Sequence, residues 1–393
     1  MPRRVLIAGG GIGGLAAALA CARAGWGVRL LERAPMFTEV GAGIQLGPNV
    51  VRVLNGWGLG DALTAVAAFP ECLQVRNAVS GATLAELPLG QRTVRHYGAP
   101  YATVHRGDLQ GLLMGAVCQR DDVDLRVSNE VLRFTETSSA VCVTTAAGVT
   151  LDGEALVGAD GLWSRVRQQL LGDGAPRVTG HLAYRALVRQ SSLPQRLRSM
   201  RVTAWLGPGL HLVQYPVRRG EWLNVVCIVQ GPAPQDLQNW DHQTNAADLR
   251  VALAGVCSPL TKLVEAIPQW RLWALCDREP LRRATQQAQG LVALLGDAAH
   301  PMRPYLAQGA GMAIEDAAEL GRSLAEPGEA TKMVAPALGR YAAARWQRNA
   351  RVQARSIRNG EIFHAQGLMR WGRDWSLRLL GERLLDVPWL YRR

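Results

Sequence analysis

Near its start the chain carries Gly9-Gly10-Gly11-Ile12-Gly13-Gly14, with glycines at 9, 11 and 14 in the G-x-G-x-x-G spacing. An apolar run, Val5-Leu6-Ile7-Ala8, precedes it and Leu15-Ala16-Ala17-Ala18-Leu19 follows, so the stretch reads as strand, tight turn and helix. Each glycine has a job in that reading. Gly9 allows the turn, Gly11 lets a pyrophosphate approach bare backbone, and Gly14 lets the helix pack closely on the sheet. The phosphates would sit at the positive end of the helix. Glu32 closes a second apolar run, Val28-Arg29-Leu30-Leu31, 23 residues beyond Gly9. That is near the roughly 20 expected of an acid that holds a ribose hydroxyl. A glycine-rich surface turn is the plain alternative, and the flanking strand, helix and acid argue against it. NAD and FAD share the ADP half that such a unit grips, so this segment alone leaves the two open.

A chain of 393 residues suits two or three closely packed domains. Its composition, 48% hydrophobic and 19% charged, is that of a soluble globular protein. No stretch approaches the roughly 18 to 20 apolar residues of a membrane span, and Arg3-Arg4 leads directly into a short strand. The expectation is a cytoplasmic protein without integral membrane contact. Seven cysteines, odd in number and never in C-x-x-C spacing, argue against disulfides and zinc, and no metal is expected. The net charge of +12 raises the question of nucleic acid. Lysine occurs only at 262 and 332 and no basic stripe is interleaved with aromatics, so an arginine-heavy composition is the simpler account and no nucleic acid is expected. A positive field would still draw in a small carboxylate.

The periodicities predict an α/β protein in which a Rossmann-like domain is discontinuous. Residues 1–72 form its first part, 104–179 its second and 276–330 its third. Short strands over 73–103 and extended runs over 180–275 make an inserted antiparallel β-sheet that would hold the substrate, and 331–393 form a helical C-terminal region. The breaker Glu326-Pro327-Gly328 precedes that region, whose Trp346, Trp371 and Trp375 read as core or dimer-contact residues; a homodimer is one expectation.

Two later loops resemble ligand sites. Gly158-Ala159-Asp160-Gly161 follows the apolar run Ala155-Leu156-Val157, and on its own it reads equally as a surface turn. Gly296-Asp297 ends the strand-like run Leu291 to Leu295, on the side where open α/β sheets bind ligands. Asp297 would accept a ribityl hydroxyl; a capping acid, or a metal pair with His300, is the alternative, and no third ligand stands at metal spacing. Gln308-Gly309-Ala310-Gly311-Met312 opens a helix without bulky side chains, leaving backbone N–H groups to face developing negative charge, as a reduced flavin requires. In His211-Leu212-Val213-Gln214-Tyr215, residues 211 and 215 share a strand face, roughly 13 Å apart, and would bracket a one-ring ligand. A histidine there suits deprotonation of a phenol, while a structural histidine on a sheet is the plain reading.

The three loops, in this order over nearly the full length, resemble the single-component FAD-dependent aromatic hydroxylases built like 4-hydroxybenzoate hydroxylase. Glu39-Val40-Gly41-Ala42-Gly43-Ile44-Gln45-Leu46-Gly47-Pro48-Asn49, Gly296-Asp297-Ala298-Ala299-His300-Pro301 and Ala307-Gln308-Gly309-Ala310-Gly311 are further similar to 3-hydroxybenzoate 6-hydroxylase, salicylate hydroxylase and 6-hydroxynicotinate 3-monooxygenase. The resemblance implies FAD, with NADH or NADPH as co-substrate and O2. A flavin hydroperoxide would then hydroxylate a hydroxylated aromatic carboxylic acid. It assigns to the cofactor Gly9, Gly11, Gly13, Gly14, Glu32, Arg33, Gly43, Arg106, Val131, Asp160, Asp297, Gly309, Ala310, Gly311 and Met312, with Arg106 on the phosphate or ribityl side and Asp160 in the nicotinamide and flavin region. It assigns His211 and Tyr215 to substrate, with Pro304 beside them where 3-hydroxybenzoate 6-hydroxylases carry glutamine, a departure that bears on regiochemistry. Arg303 is an alternative partner for the carboxylate. Other classes are a flavoprotein of this fold acting as an epoxidase, an N-hydroxylase or another oxidoreductase on a larger substrate, and a flavin-free NAD-dependent dehydrogenase. A flavin halogenase would show W-x-W-x-I-P, which Trp270-Arg271-Leu272-Trp273 does not match.

Overall fold

The structure, a computed structural model, describes residues 3–37, 42–237, 242–244, 246–325 and 334–392. Glu39-Val40-Gly41 and the breaker at 326–328 lie outside the described residues. The chain is α/β and forms two compact units: Met1–Glu39, Leu109–Arg177 and Asp277–Ser356 make one, and Val40–Asp108, Val178–Cys276 and Ile357–Arg393 the other. Residues 40–72 thus group with the inserted sheet, although the sequence pattern assigns them to the nucleotide-binding part.

The first unit is built on a six-stranded sheet in the order Ala288–Gln289, Val292–Leu294, Ala155–Gly158, Arg4–Ala8, Gly27–Leu31, Val123–Arg126. All neighbours are parallel except the first pair. Near-continuous apolar runs form its strands because both faces are covered. The helix Ile12–Arg23 is buried from Ile12 to Ala22 apart from Gly13, which explains its run of small residues. A side chain at Gly321, on the helix Gly309–Ala325, would stand 2.8 Å from the Ala20 carbonyl oxygen, so these two helices cross at backbone contact.

The second unit carries an eight-stranded sheet in the order His242–Thr244, Trp270–Asp277, Arg177–Arg189, Trp222–Gln230, Leu210–Val217, Val202–Gly207, Cys72–Asn77, Thr83–Pro88. It is antiparallel where neighbours follow each other in hairpins, and Val202–Gly207, which the chain reaches only after a long excursion, pairs in parallel with Cys72–Asn77. Within 180–275 the expected sheet is accompanied by two helices, Ala246–Ala252 and Ser258–Glu265; Leu249, Leu260 and Leu263 on them, with Leu253 just past the first, cover the face bearing Leu182, Tyr184, Leu210, Leu212, Val225 and Cys227. The opposite face carries His211, Val213 and Tyr215. The C-terminal helices include Val334–Phe363 and Gly367–Leu380; on the latter Trp371 and Trp375 are 64% and 45% exposed, so they are not core residues of this chain. No helix of the described residues is long and apolar enough to cross a membrane.

Candidate active site

Sheet register explains why loops far apart in sequence meet. Ala8 pairs with Leu31 on one side and Gly158 on the other, and Gly158 pairs with Leu294, so four parallel strands end level. The loops beginning at Gly9, Glu32, Ala159 and Leu295 therefore emerge side by side, roughly 5 Å apart. Backbone hydrogen bonds tie them: Gly9 N–H donates to Leu31 O at 2.8 Å, Ala159 N–H to Ala8 O at 2.8 Å and Leu295 N–H to Gly158 O at 2.9 Å.

The glycines of the first loop divide by task. Gly9 has φ +102°, and a side chain there would lie 2.4 Å from the Ala159 carbonyl oxygen. A side chain at Gly14 would stand 1.9 Å from the Gly9 oxygen. At Gly11, the N-cap of the helix, nothing stands within 4 Å of an added Cβ, and no described side chain caps the helix. The N–H groups of Ile12, Gly13 and Gly14 have no intrahelical acceptor there, so the space beside Gly11 is fitted to a pyrophosphate. A Cβ at Gly13 would meet Leu295 at 3.0 Å, which gives Gly13 a packing role. The Glu32 carboxylate is held in place by N–H donation from Gly10 at 2.6 Å and Ala34 at 2.8 Å, and its remaining lone pairs can accept ribose hydroxyls. Arg33 beside it is exposed.

Asp160 accepts from the Ser164 hydroxyl at 2.5 Å and from the N–H groups of Arg165 at 2.8 Å and Val166 at 3.2 Å, and so caps the helix Arg165–Leu171. Desolvation nevertheless pushes its pKa up, against the lowering by those donors. From that helix the buried Arg167 donates to the carbonyls of Ala298 at 3.0 Å and Ala299 at 2.6 Å, anchoring the Asp297 loop. Val131 packs in the apolar cluster containing Ala8 and Leu31.

The Gly296-Asp297 loop rests on a polar network that the sequence pattern does not announce. Asp316, fully buried on the helix Gly309–Ala325, accepts from Gly296 N–H at 3.3 Å, Arg345 Nε at 2.7 Å and Asn349 Nδ2 at 2.9 Å, and contacts His300 Nε2 at 2.5 Å. Desolvation would raise the Asp316 pKa, but His300 and Arg345 outweigh it and hold the carboxyl well below its usual range. His300 is therefore a partner of Asp316, and no group of acids, histidines and cysteines able to hold a metal occurs among the described residues. Asp297 lies near the start of the same helix, 3.9 Å from an added Cβ on Gly309. Met312 N–H donates to Gln308 O, leaving Gly309, Ala310 and Gly311 with N–H groups that have no intrahelical acceptor. Pro304 is exposed and its carbonyl accepts from Ala307 N–H at 3.3 Å. Arg303 is bound to the buried Asp277, Nε at 2.8 Å, which removes it as a ready carboxylate partner.

The second unit assembles another group of residues. Tyr215 pairs in register with Asn224, whose side-chain oxygen accepts Gly43 N–H at 2.6 Å. A side chain at Gly43 would lie 2.6 Å from the Tyr215 ring, so Gly43 is a contact of Tyr215 in this unit. Gln45 accepts from the Tyr101 hydroxyl at 2.7 Å. Burial raises the Tyr215 pKa well above the ordinary phenol value, so its O–H stays on as a donor. His211, 2% exposed, has Nδ1 2.8 Å from His364 Nε2, and its pKa is well below the usual imidazole value through desolvation and the neighbouring His364 and His181. Arg185 shares this face, since it and Val213 both pair with Val226; its guanidinium stacks on Trp273 at 4.7 Å. Arg106 opens the helix Arg106–Cys118, and its N–H donates to Ala42 O at 2.8 Å.

Asn224, His364, Arg185, Asp316 and Arg345 were missed from sequence. Only Arg185 carried a local signal, an arginine at the centre of a buried strand.

The chain belongs to the FAD binding domain family, whose model matches residues 3–356, and it is a flavoprotein of the aromatic hydroxylase kind. The cofactor is FAD, which sets aside a flavin-free dehydrogenase. Among its relatives, 3-hydroxybenzoate 6-hydroxylase of Polaromonas naphthalenivorans is 39% identical over 98% of this chain and 95% of its own length. The 6-hydroxynicotinate 3-monooxygenase of Bordetella bronchiseptica is 38% identical over 83% of each. A salicylate hydroxylase substrate complex superposes with a TM-score of 0.84 at 26% identity, over 99% of this chain and 95% of that one.

Proposed function

We propose that this protein uses NADH or NADPH and O2 to hydroxylate a hydroxylated aromatic carboxylic acid of the 3-hydroxybenzoate, salicylate or 6-hydroxynicotinate kind. The observation that carries the reading is one buried sheet face bearing His211, Tyr215 and Arg185 together. Arg185 stands two strands from the strand of His211, about 10 Å across the sheet, a span suited to a single ring with a hydroxyl at one end and a carboxylate at the other. His211, neutral because its pKa is depressed, has a lone pair to take the ring hydroxyl's proton. The phenolate that results is electron-rich enough for attack on an electrophilic oxygen. Tyr215 keeps its proton and orients the ring by donating a hydrogen bond. Arg185 draws in the carboxylate. The helix ends at Gly11 and Gly309, with Glu32 and Asp297, would hold FAD, which would supply that oxygen from O2 at the expense of NADH or NADPH.

The test is NAD(P)H oxidation across a panel of aromatic acids, with hydroxylated product and peroxide measured together. Stimulation with product by a phenolic acid is expected, and His211→Ala should retain FAD while losing product. If no phenolic acid stimulates oxidation, the substrate class is wrong. Product at the parent yield from His211→Ala would remove the base role from His211.

A further inference from the structure

We propose that Asn224 is a substrate-binding residue: its side-chain N–H group seats the carboxylate of the aromatic acid, together with Arg185 and Tyr215. The inference rests on the substrate reading above and deepens it.

The sheet face that bears His211 is ordered in rows, because residues paired across strands stand level. Leu206, His211 and Ile228 form one row, Ala204, Val213, Val226 and Arg185 the next, and Tyr215, Asn224 and Leu187 the third. Ala204, Val213 and Val226 are partly exposed, whereas Leu206, His211 and Ile228 on one side and Tyr215 and Asn224 on the other are buried. The middle row is thus an apolar floor, roughly 7 Å along the strands from the row on either side. A single ring lying on that floor meets His211 at one edge and Tyr215 with Asn224 at the other. Arg185 stands at the end of the floor row itself.

Asn224 is fully buried, and its two polar atoms differ in state. Oδ1 accepts Gly43 N–H at 2.6 Å, which fixes the orientation of the amide, since Nδ2 carries no lone pair to accept with. Gly43 also packs closely over that amide: an added Cβ would stand 2.8 Å from Asn224 Cγ. Nδ2 has no hydrogen-bond partner among the described residues. A buried donor without an acceptor is unfavourable, and a ligand oxygen beside it removes that penalty.

The position of Asn224 selects which ligand oxygen this is. The ring hydroxyl belongs to His211, two rows away. A carboxylate offers about four lone-pair sites, more than one guanidinium occupies. Asn224 lies one strand and one row from Arg185, roughly 8 Å between α-carbons, a gap that a carboxylate bridges. One oxygen then faces the Arg185 guanidinium, and the other accepts from Asn224 Nδ2 and from the Tyr215 hydroxyl, which burial keeps protonated.

The test measures ligand binding to oxidised, FAD-loaded protein through the change in flavin absorbance, without turnover. The ligands are 3-hydroxybenzoate, salicylate and 6-hydroxynicotinate, each with its matching carboxamide and with the same ring lacking the carboxyl group. Asn224→Asp keeps an oxygen for Gly43 N–H and puts an acceptor where Nδ2 stands. At pH 8 this variant should bind the acid at least about 100-fold more weakly, through the lost donor and like-charge repulsion. It should bind the carboxamide, whose NH2 can donate to the new carboxylate, at least as well as the parent does, so that the preference between acid and amide reverses. Asn224→Leu, of similar size and without polar atoms, should weaken the acid by about 10- to 100-fold and leave the ring without a carboxyl group little changed. A purely structural role would weaken both ligands alike. A parental acid-to-amide preference in Asn224→Asp overturns the proposal, as does equal weakening of acid and carboxyl-free ring in Asn224→Leu. If the parent binds none of the three acids, the substrate reading falls and this inference with it; if the parent binds one and the variants keep its preference, only the role of Asn224 falls. Should Asn224→Asp fail to fold, the comparison in Asn224→Leu still decides.

Discussion

At the scale of single residues, the cofactor loops depend on buried charges that no local pattern reveals. Asp316 is the hub: it holds the Gly296 loop and satisfies Arg345. Asp316→Asn leaves that arginine buried beside a neutral amide, and loss of one partner of a buried pair costs about 3 to 5 kcal/mol. Urea unfolding should show that loss, with weaker FAD retention. The pH dependence has a definite sign. The folded pKa of Asp316 lies below its unfolded value, so in acid the unfolded chain binds the extra proton and stability rises with pH. The contribution is complete above the ordinary carboxylate range and drains away as pH falls from about 4 toward the lower folded value. The gap between parent and Asp316→Asn should therefore narrow below about pH 4; a gap constant from pH 7 to 3 would show that the carboxylate charge is not what stabilises the loop. Such a hub was illegible in sequence because Gly296, Asp316, Arg345 and Asn349 span three elements. Glu32 was legible because its position follows from one strand–helix–strand unit.

At the scale of elements, the glycine loop separates folding from ligand binding, and two substitutions test the division. Gly14→Ala drives a methyl group into the Gly9 carbonyl at 1.9 Å, and a backbone atom cannot move aside cheaply. Gly11→Ala meets nothing within 4 Å and sits at φ −71°, where any residue is comfortable. Gly11→Ala should keep the parental unfolding midpoint without cofactor, yet bind FAD about 10- to 100-fold more weakly, since a methyl group occupies the space of the pyrophosphate. Gly14→Ala should fail on both counts. FAD fluorescence titration and apoprotein unfolding separate the cases, and equal FAD affinity for Gly11→Ala and parent would refute the assignment of the space. Elements with a clean period were readable: the extended runs expected within 180–275 correspond to Arg177–Arg189, Val202–Gly207, Leu210–Val217 and Trp222–Gln230. The helices Ala246–Ala252 and Ser258–Glu265 were overlooked because each is two turns long and set among strands, although Ser258-Pro259 is a helix-start signature. Sheet order was not readable, since the parallel pairing of Cys72–Asn77 with Val202–Gly207 joins segments more than a hundred residues apart.

At the scale of the whole molecule, the excess of arginine has two uses. Part of it is internal carpentry: Arg167, Arg278 and Arg345 are buried and hold carbonyls or acids within the first unit. The chain as a whole carries a formal net charge of +12, and the field expected of that excess would favour the approach of an anionic substrate. A benzoate-like acid should feel it and an uncharged analogue should not. The screening length falls from about 30 Å at 0.01 M salt to about 3 Å at 1 M, so the long-range part of the attraction is removed over that interval while contacts inside the site persist. For the carboxylate substrate, kcat/KM should drop several-fold between those salt concentrations, chiefly through KM. For the matching carboxamide it should stay nearly level, and Arg185→Met should lower affinity for the acid at both salt concentrations while leaving the salt slope unchanged, because one buried side chain contributes little to the distant field. Equal salt slopes for acid and amide would mean that the surface charge plays no part in substrate capture, and that discrimination for the carboxylate rests on the sheet face alone.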